Sequence, residues 1–324
     1  MRPTLCRRAC ALAACALALL AGRQAPPPYT HVATVESIVD GQPLRAFTYD
    51  PVADRFYAGS DRGLFWIDLS EASPRLRGPL VPKDILAIEA APDLGRVFFL
   101  TDDEIGYVDA RTPGSAVHVA PRDRALDIAY EPTRRELYAG TRTPRVRVFD
   151  AASGERGPDV ELPGWWAENL EAMPGRVLLT VGGTQGIFTI DAATRKAARW
   201  QLSSPFVTPA YIEADPAGRY VFLNNSRDIA VVDATSGVVL GRRATPTPAA
   251  IAFDPASSLL IATWADDPPP IRVVVFRVSK AGLAQVAELD NPVRGRRGVE
   301  SVSRGFVQDG LRTLLVWRAR APGR

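Results

Sequence analysis

A repeat of about forty residues restricts the fold of this chain more than any other feature. The segments AFTYDP, AIEAAP, DIAYEP, NLEAMP, YIEADP and AIAFDP end at Pro51, Pro92, Pro132, Pro174, Pro216 and Pro255, spaced by 41, 40, 42, 42 and 39 residues. A second marker keeps the same step: WIDLS, YVDAR, VFDAA, TIDAA and VVDAT place Asp68, Asp109, Asp150, Asp191 and Asp233 at intervals of 41, 41, 41 and 42. Two looser copies, VVVFRVSKAG and TLLVWRARA, put Arg277 and Arg318 in the Asp position, for seven copies in all. Within a copy, the short apolar segment before the proline is followed by runs such as RYVFLN, IAVVDA and VVLGRRA, rich in β-branched and aromatic residues. Such runs favour strands.

Four strands at this period predict a β-propeller blade, and seven copies predict an all-β, seven-bladed β-propeller of four-stranded blades. The last copy lacks its fourth strand because the sequence ends at Arg324, while THVATVES, residues 30–37, precedes the first copy and reads as a fourth strand. The N-terminal strand is therefore expected to complete the last blade, closing the ring and hiding its sheet edges. Residues 29–319 are read as one propeller domain followed by a tail, 320–324, and a closed ring of this kind is expected to be a monomer.

The repeats resemble those of the YVTN family of bacterial seven-bladed propellers, in which a strand, a DP or PD turn, an apolar strand and an apolar-Asp-Ala-x-Ser/Thr-Gly stretch recur. Here FYAG, LYAG and VFLN stand where that family's name-giving tetrapeptide would be. The resemblance runs from about Tyr29 to Arg318 and implies a seven-bladed, WD40-like architecture in a secreted protein. It does not imply one activity, since related propellers include surface-layer proteins and lactone-hydrolysing enzymes.

Residues 1–22, MRPTLCRRACALAACALALLAG, carry Arg2, Arg7 and Arg8 before an apolar run and small residues, and a Pro-rich linker spans 23–28. This reads as a signal peptide, the apolar run being too short to cross a bilayer. The mature protein is then expected in the periplasm or outside the cell. The alternative is lipid anchoring at Cys15, in LAAC, although few apolar residues precede that cysteine and the apolar run continues beyond it. Cys6, Cys10 and Cys15 all lie in this segment, so the mature chain has no thiolate for a metal or a substrate. Three of the 39 basic residues lie there too, leaving 36 against 36 acidic ones. Bulk charge thus gives no reason to expect a nucleic-acid partner, and none is expected; nor is a membrane span.

Catalytic motifs are scarce. GGTQG, residues 182–186, has the outline of a nucleophile elbow but lies between two predicted strands, where a hairpin is expected. His31 and His118 fall on predicted outer strands and read as structural. The distinctive feature is a column of acids three residues before the proline position, occupied by Thr48, Glu89, Ala129, Glu171, Glu213, Ala252 and, with a looser alignment, Glu300. Two residues earlier stand Ala46, Ala87, Asp127, Asn169, Tyr211 and Ala250. A carboxylate stripped of water between blades would be costly. Glu89, Asp127, Glu171, Glu213 and Glu300, with Asn169, are therefore expected to line a wet central channel.

Those carboxylates are either solvated or paired with arginines such as Arg45 and Arg124, or they hold a cation such as Ca²⁺ or an amine-bearing ligand. No cofactor is required by any motif. Trp165 and Trp166 in GWWAEN, and Trp264 before ADDPPP, are expected at the channel mouth, where aromatic faces suit a ligand, small molecule or protein. The functional expectation is a non-enzymatic, extracytoplasmic binding scaffold. The alternative is a metal-dependent hydrolase of the lactonase or gluconolactonase type using the channel carboxylates.

Overall fold

The computed structural model describes residues 28–36, 44–164, 166–181, 186–204, 209, 211–225, 227–245, 250–265, 271–289, 299–302, 305–309 and 313–319. Those residues form 28 strands in seven antiparallel sheets of four, six of them in simple chain order. The seventh sheet is ordered Val299–Val302, Gly305–Asp309, Thr313–Ala319 and then Tyr29–Glu36, so the expected closing strand is observed. Its register runs from Tyr29 opposite Ala319 to Glu36 opposite Thr313, with one irregularity between His31 and Ala33. Tyr29, 1% exposed, also donates its hydroxyl to Asp254 Oδ2 of blade six at 2.8 Å.

Each blade buries both faces, which is why its second strand is a nearly continuous apolar run such as Arg96–Thr101, RVFFLT. Each of the seven interfaces between neighbouring blades has its own apolar cluster. Between blades three and four, for example, Tyr138, Val146 and Val148 meet Leu170, Val177 and Leu179. The glycine of LYAG permits this approach near the channel, since a Cβ on Gly140 would lie 2.4 Å from Leu170 Cδ1 of the next blade. Gly59 of FYAG meets Ile85 in the same way, at 2.5 Å.

The recurring aspartate shapes the turn between the third and fourth strands. Asp109 Oδ1 accepts the amides of Arg111 and Thr112 at 2.7 Å each, and Asp150 Oδ1 accepts those of Ala152 and Ser153 at 3.0 and 2.6 Å. These bonds hold both carboxyls below the ordinary aspartate range. The residue after the aspartate is buried, and its carbonyl takes an arginine from the preceding blade. Arg55 Nη1 reaches Ala110 O and Arg96 Nη1 reaches Ala151 O, both at 2.5 Å, and Arg176 Nη1 reaches Ala234 O at 2.8 Å. In blade three the position holds Glu136, which instead receives Arg195 from blade four at 2.6 Å. Arg318, in the aspartate position of the last copy, reaches Leu69 O of blade one at 3.2 Å and latches the closed ring.

Candidate functional site: the channel column and its mouth

The acid column has a role that residue types alone did not reveal. Glu213 Oε1 accepts the backbone N–H of Phe253, on the inner strand of blade six, at 3.2 Å. Glu171 Oε1 accepts that of Ala214 in blade five at 3.3 Å and Thr48 Oγ1 accepts that of Ala90 in blade two at 3.2 Å, while the Tyr130 amide of blade three favours the charged form of Glu89. Each acceptor binds the residue one past its own counterpart in the next blade. Blade three has Ala129 in this column, 1% exposed, and there Asp127 from the neighbouring column accepts the Leu170 amide at 2.8 Å. Four blade junctions are thus hydrogen-bonded at the channel wall, and at the fifth, between blades two and three, Glu89 faces the Tyr130 amide. An inner strand is the edge of its sheet, and its channel-side amides have no strand partner. The column side chains satisfy them.

Arg45 is committed elsewhere, to Ile85 O at 2.9 Å and to Asp84, so the expected pairing of the channel acids with this arginine is not what the structure contains. No ion pair joins Arg124 to these acids among the described residues. Glu89, Asp127, Glu171 and Glu213 are half-buried at the channel wall. Burial, reinforced by the charges of Asp127 and Glu213, pushes Glu89 up to about 8 against the opposing effect of the Tyr130 amide. Burial likewise raises Asp127 and Glu213 to about 7, against the backbone amides that lower them. Near neutral pH these groups bind and lose protons readily. Among the described residues, no three His, Cys, Asp or Glu side chains come together in a metal-binding group.

Glu300 pairs through its backbone with Val307, and its side chain lies outside the described residues, as do Trp165 and the side chain of Trp264. Asn169 is half-buried and donates its side-chain amide to Thr180 Oγ1 of its own blade at 3.0 Å. Trp166 is 38% exposed and donates its indole N–H to Glu168 Oε1 at 3.1 Å. These two residues, with Leu126 and Arg142, line a pocket of about 380 Å³ where blades three and four meet at the mouth. Tyr211, 54% exposed, begins the inner strand of blade five at the same end of the ring. Arg142, Glu168 and Leu126 lie outside the repeat columns, in loops and at strand starts, so periodicity carried no signal for them.

His31 packs edge-on against Trp317 at 5.5 Å, and His118 Nδ1 lies 2.8 Å from Glu104 Oε2, whose other oxygen takes Lys83. The strands flanking GGTQG, Arg176–Val181 and Ile187–Asp191, pair antiparallel in blade four, while residues 182–185 themselves lie outside the described residues. No helix among the described residues is long and apolar enough to cross a membrane.

No protein-family profile matches the chain, and no curated protein matches it. Solved structures do. The WD40 repeats of RRP9 superpose with a TM-score of 0.68 at 9% identity, covering 92% of this chain and 99% of that one. U3-55K gives 0.67 at 8% identity over 89% and 98%. Hydrazine synthase of Kuenenia stuttgartiensis gives 0.52 at 18% over 62% and 65%. Identities this low show the fold alone: the chain is a seven-bladed β-propeller of the architecture seen in WD40 repeats.

Proposed function

We propose that this protein is a non-enzymatic binding propeller that takes its ligand on the channel mouth. The carrying observation is the pocket of about 380 Å³ formed by Leu126, Arg142, Trp166 and Glu168, within the size range of small-molecule and peptide subsites. The exposed Tyr211 extends this aromatic rim to blade five. The acids below are occupied in bridging blades, so the acidic channel is foremost a structural wall beneath the site. The WD40-like architecture accords with a scaffold that holds a partner on one face. Its repeat sequence supports a YVTN-like relationship, and the N-terminal segment supports an extracytoplasmic location; mass spectrometry of the purified protein would then find a mature N-terminus near Gly22 to Ala25 without lipid.

The test uses an array of random-sequence peptides probed with the parent, with Trp166→Ala and Tyr211→Ala, and with Val52→Ser. Val52 is 64% exposed on a turn at the opposite end of the ring. Binding lost in the two mouth variants and kept in Val52→Ser supports the assignment. Equal binding by all four proteins overturns it.

One observation favours a second reading, a metal-dependent hydrolase: the charges of Asp127 and Glu213 both disfavour the charged form of Glu89, and a divalent cation would relieve that repulsion. Stoichiometric Ca²⁺ in the purified protein, with metal-dependent lactone hydrolysis lost in Glu213→Gln, would replace the binding assignment with this one.

A further inference from the structure

The turn that leads into the pocket residue Leu126 is held by several hydrogen bonds. This turn, residues 121–125, contains two consecutive non-glycine residues in the left-handed region, Asp123 at φ 42° and Arg124 at φ 65°. Such a pair persists only where the surroundings fix it. The buried Arg147 does so from below, donating Nη1 to Pro121 O at 3.1 Å and to Arg122 O at 3.0 Å. Arg122 closes the turn, with Nε on Ala125 O at 2.9 Å and Nη1 on Asp102 at 2.8 Å. The carbonyl of Arg124 then takes the backbone amide of Arg142 at 3.1 Å, setting the base from which the Arg142 side chain enters the pocket wall.

Among the described residues, the Arg142 guanidinium has no carboxylate within ion-pairing distance. The one acid in the pocket lining, Glu168, already accepts the Trp166 indole N–H. A guanidinium without an acid partner, a partly exposed indole and the apolar side of Leu126 therefore converge on one cavity.

We propose that this pocket binds a carboxylate carried on an apolar or aromatic body, with the carboxylate on Arg142 and the body against Trp166 and Leu126. The fork of a guanidinium matches the two oxygens of a carboxylate, which a neutral amide cannot reproduce. Glu168 sets a limit, since it repels a second negative charge placed beside the ring. That chemistry comes from a free small acid or from the C-terminal residue of a polypeptide. The assignment rests on the mouth being the binding face.

The test measures binding of phenylacetate and of N-acetyl-Gly-Gly-Phe with a free carboxyl terminus, each against its amide, by ligand-observed NMR. Both carboxylates are expected to bind at least fivefold more tightly than their amides. Arg142→Gln is expected to weaken them at least tenfold while leaving the amides within twofold, and Arg62→Gln, on blade one, to change nothing. Arg142 and Arg62 are exposed, and melting curves verify that both variants fold. Tighter binding of the peptide assigns a polypeptide terminus as the source, and equal or tighter binding of phenylacetate assigns a small acid. Acid and amide binding alike, no binding of either acid, or full binding in Arg142→Gln overturns the proposal. If Arg142→Gln has no effect while Trp166→Ala abolishes binding, the mouth remains the binding face and only the carboxylate assignment falls.

Discussion

Replacing Glu89 by glutamine should flatten part of the protein's pH-stability curve. Burial and the neighbouring acids raise Glu89 from 4.5 to about 8. Below pH 4.5 both the folded and the unfolded chain hold this proton. Between 4.5 and about 8 the folded chain holds a proton that the unfolded chain has released, so stability falls as pH rises. Above about 8 the loss is complete. At about 1.4 kcal/mol per pH unit, the interval sets a ceiling of about 5 kcal/mol. The side chain is only half-buried, and solvent screening reduces the effect to the order of 2 kcal/mol. Glutamine keeps an oxygen for the Tyr130 amide and cannot ionise. The assay is thermal melting of parent and Glu89→Gln from pH 5 to 9. The variant should match the parent within about 1 kcal/mol at pH 5 and exceed it by about 2 kcal/mol at pH 9, a few degrees in Tm for a ring of this size. Parallel curves, or a parent that gains stability over this range, would show that Glu89 does not hold a raised proton affinity in the folded ring.

Other interfaces give sharper losses. Tyr29→Phe removes the buried hydroxyl bond to Asp254 and should cost about 1–2 kcal/mol in a denaturant titration, with no change in the cooperativity of unfolding. Gly140→Ala puts a Cβ 2.4 Å from Leu170 Cδ1 and should cost about 1–3 kcal/mol, whereas Gly164→Ala, where a Cβ meets nothing within 4 Å, should cost less despite its φ of 85°. Asn224 is fully buried with neither amide atom hydrogen-bonded, so Asn224→Leu should leave Tm unchanged or raise it.

The ring was legible in the sequence because its signals are local and repeated. Proline after the inner strand, an aspartate in the turn and β-branched runs between them recur at a fixed step, and the surplus N-terminal strand matched the one missing at the end. The destination of the column acids was not legible. Glu213 bonds to Phe253, forty residues away, and its partner is a main-chain amide that every non-proline residue possesses, so no residue type marks it. The constant offset of one residue between successive counterparts appears only once the inner strands are set side by side. The arginine latches escaped notice similarly, since Arg55 and Arg96 end on carbonyls 55 positions away. At the mouth, Trp166 was anticipated from GWWAEN, but Arg142 was not. It lies in the connection between two strands of blade three, which the repeat leaves free to vary, and only folding brings it beside the start of blade four.

Native-state hydrogen exchange in Glu213→Ala tests most directly whether the channel acids bridge the blades. The Phe253 amide, held by Glu213, should lose protection at least tenfold, the factor corresponding to about 1.4 kcal/mol. The Ala214 amide, held by Glu171, should keep its protection. Unchanged protection at Phe253, or an equal loss at both amides, would contradict that bridging.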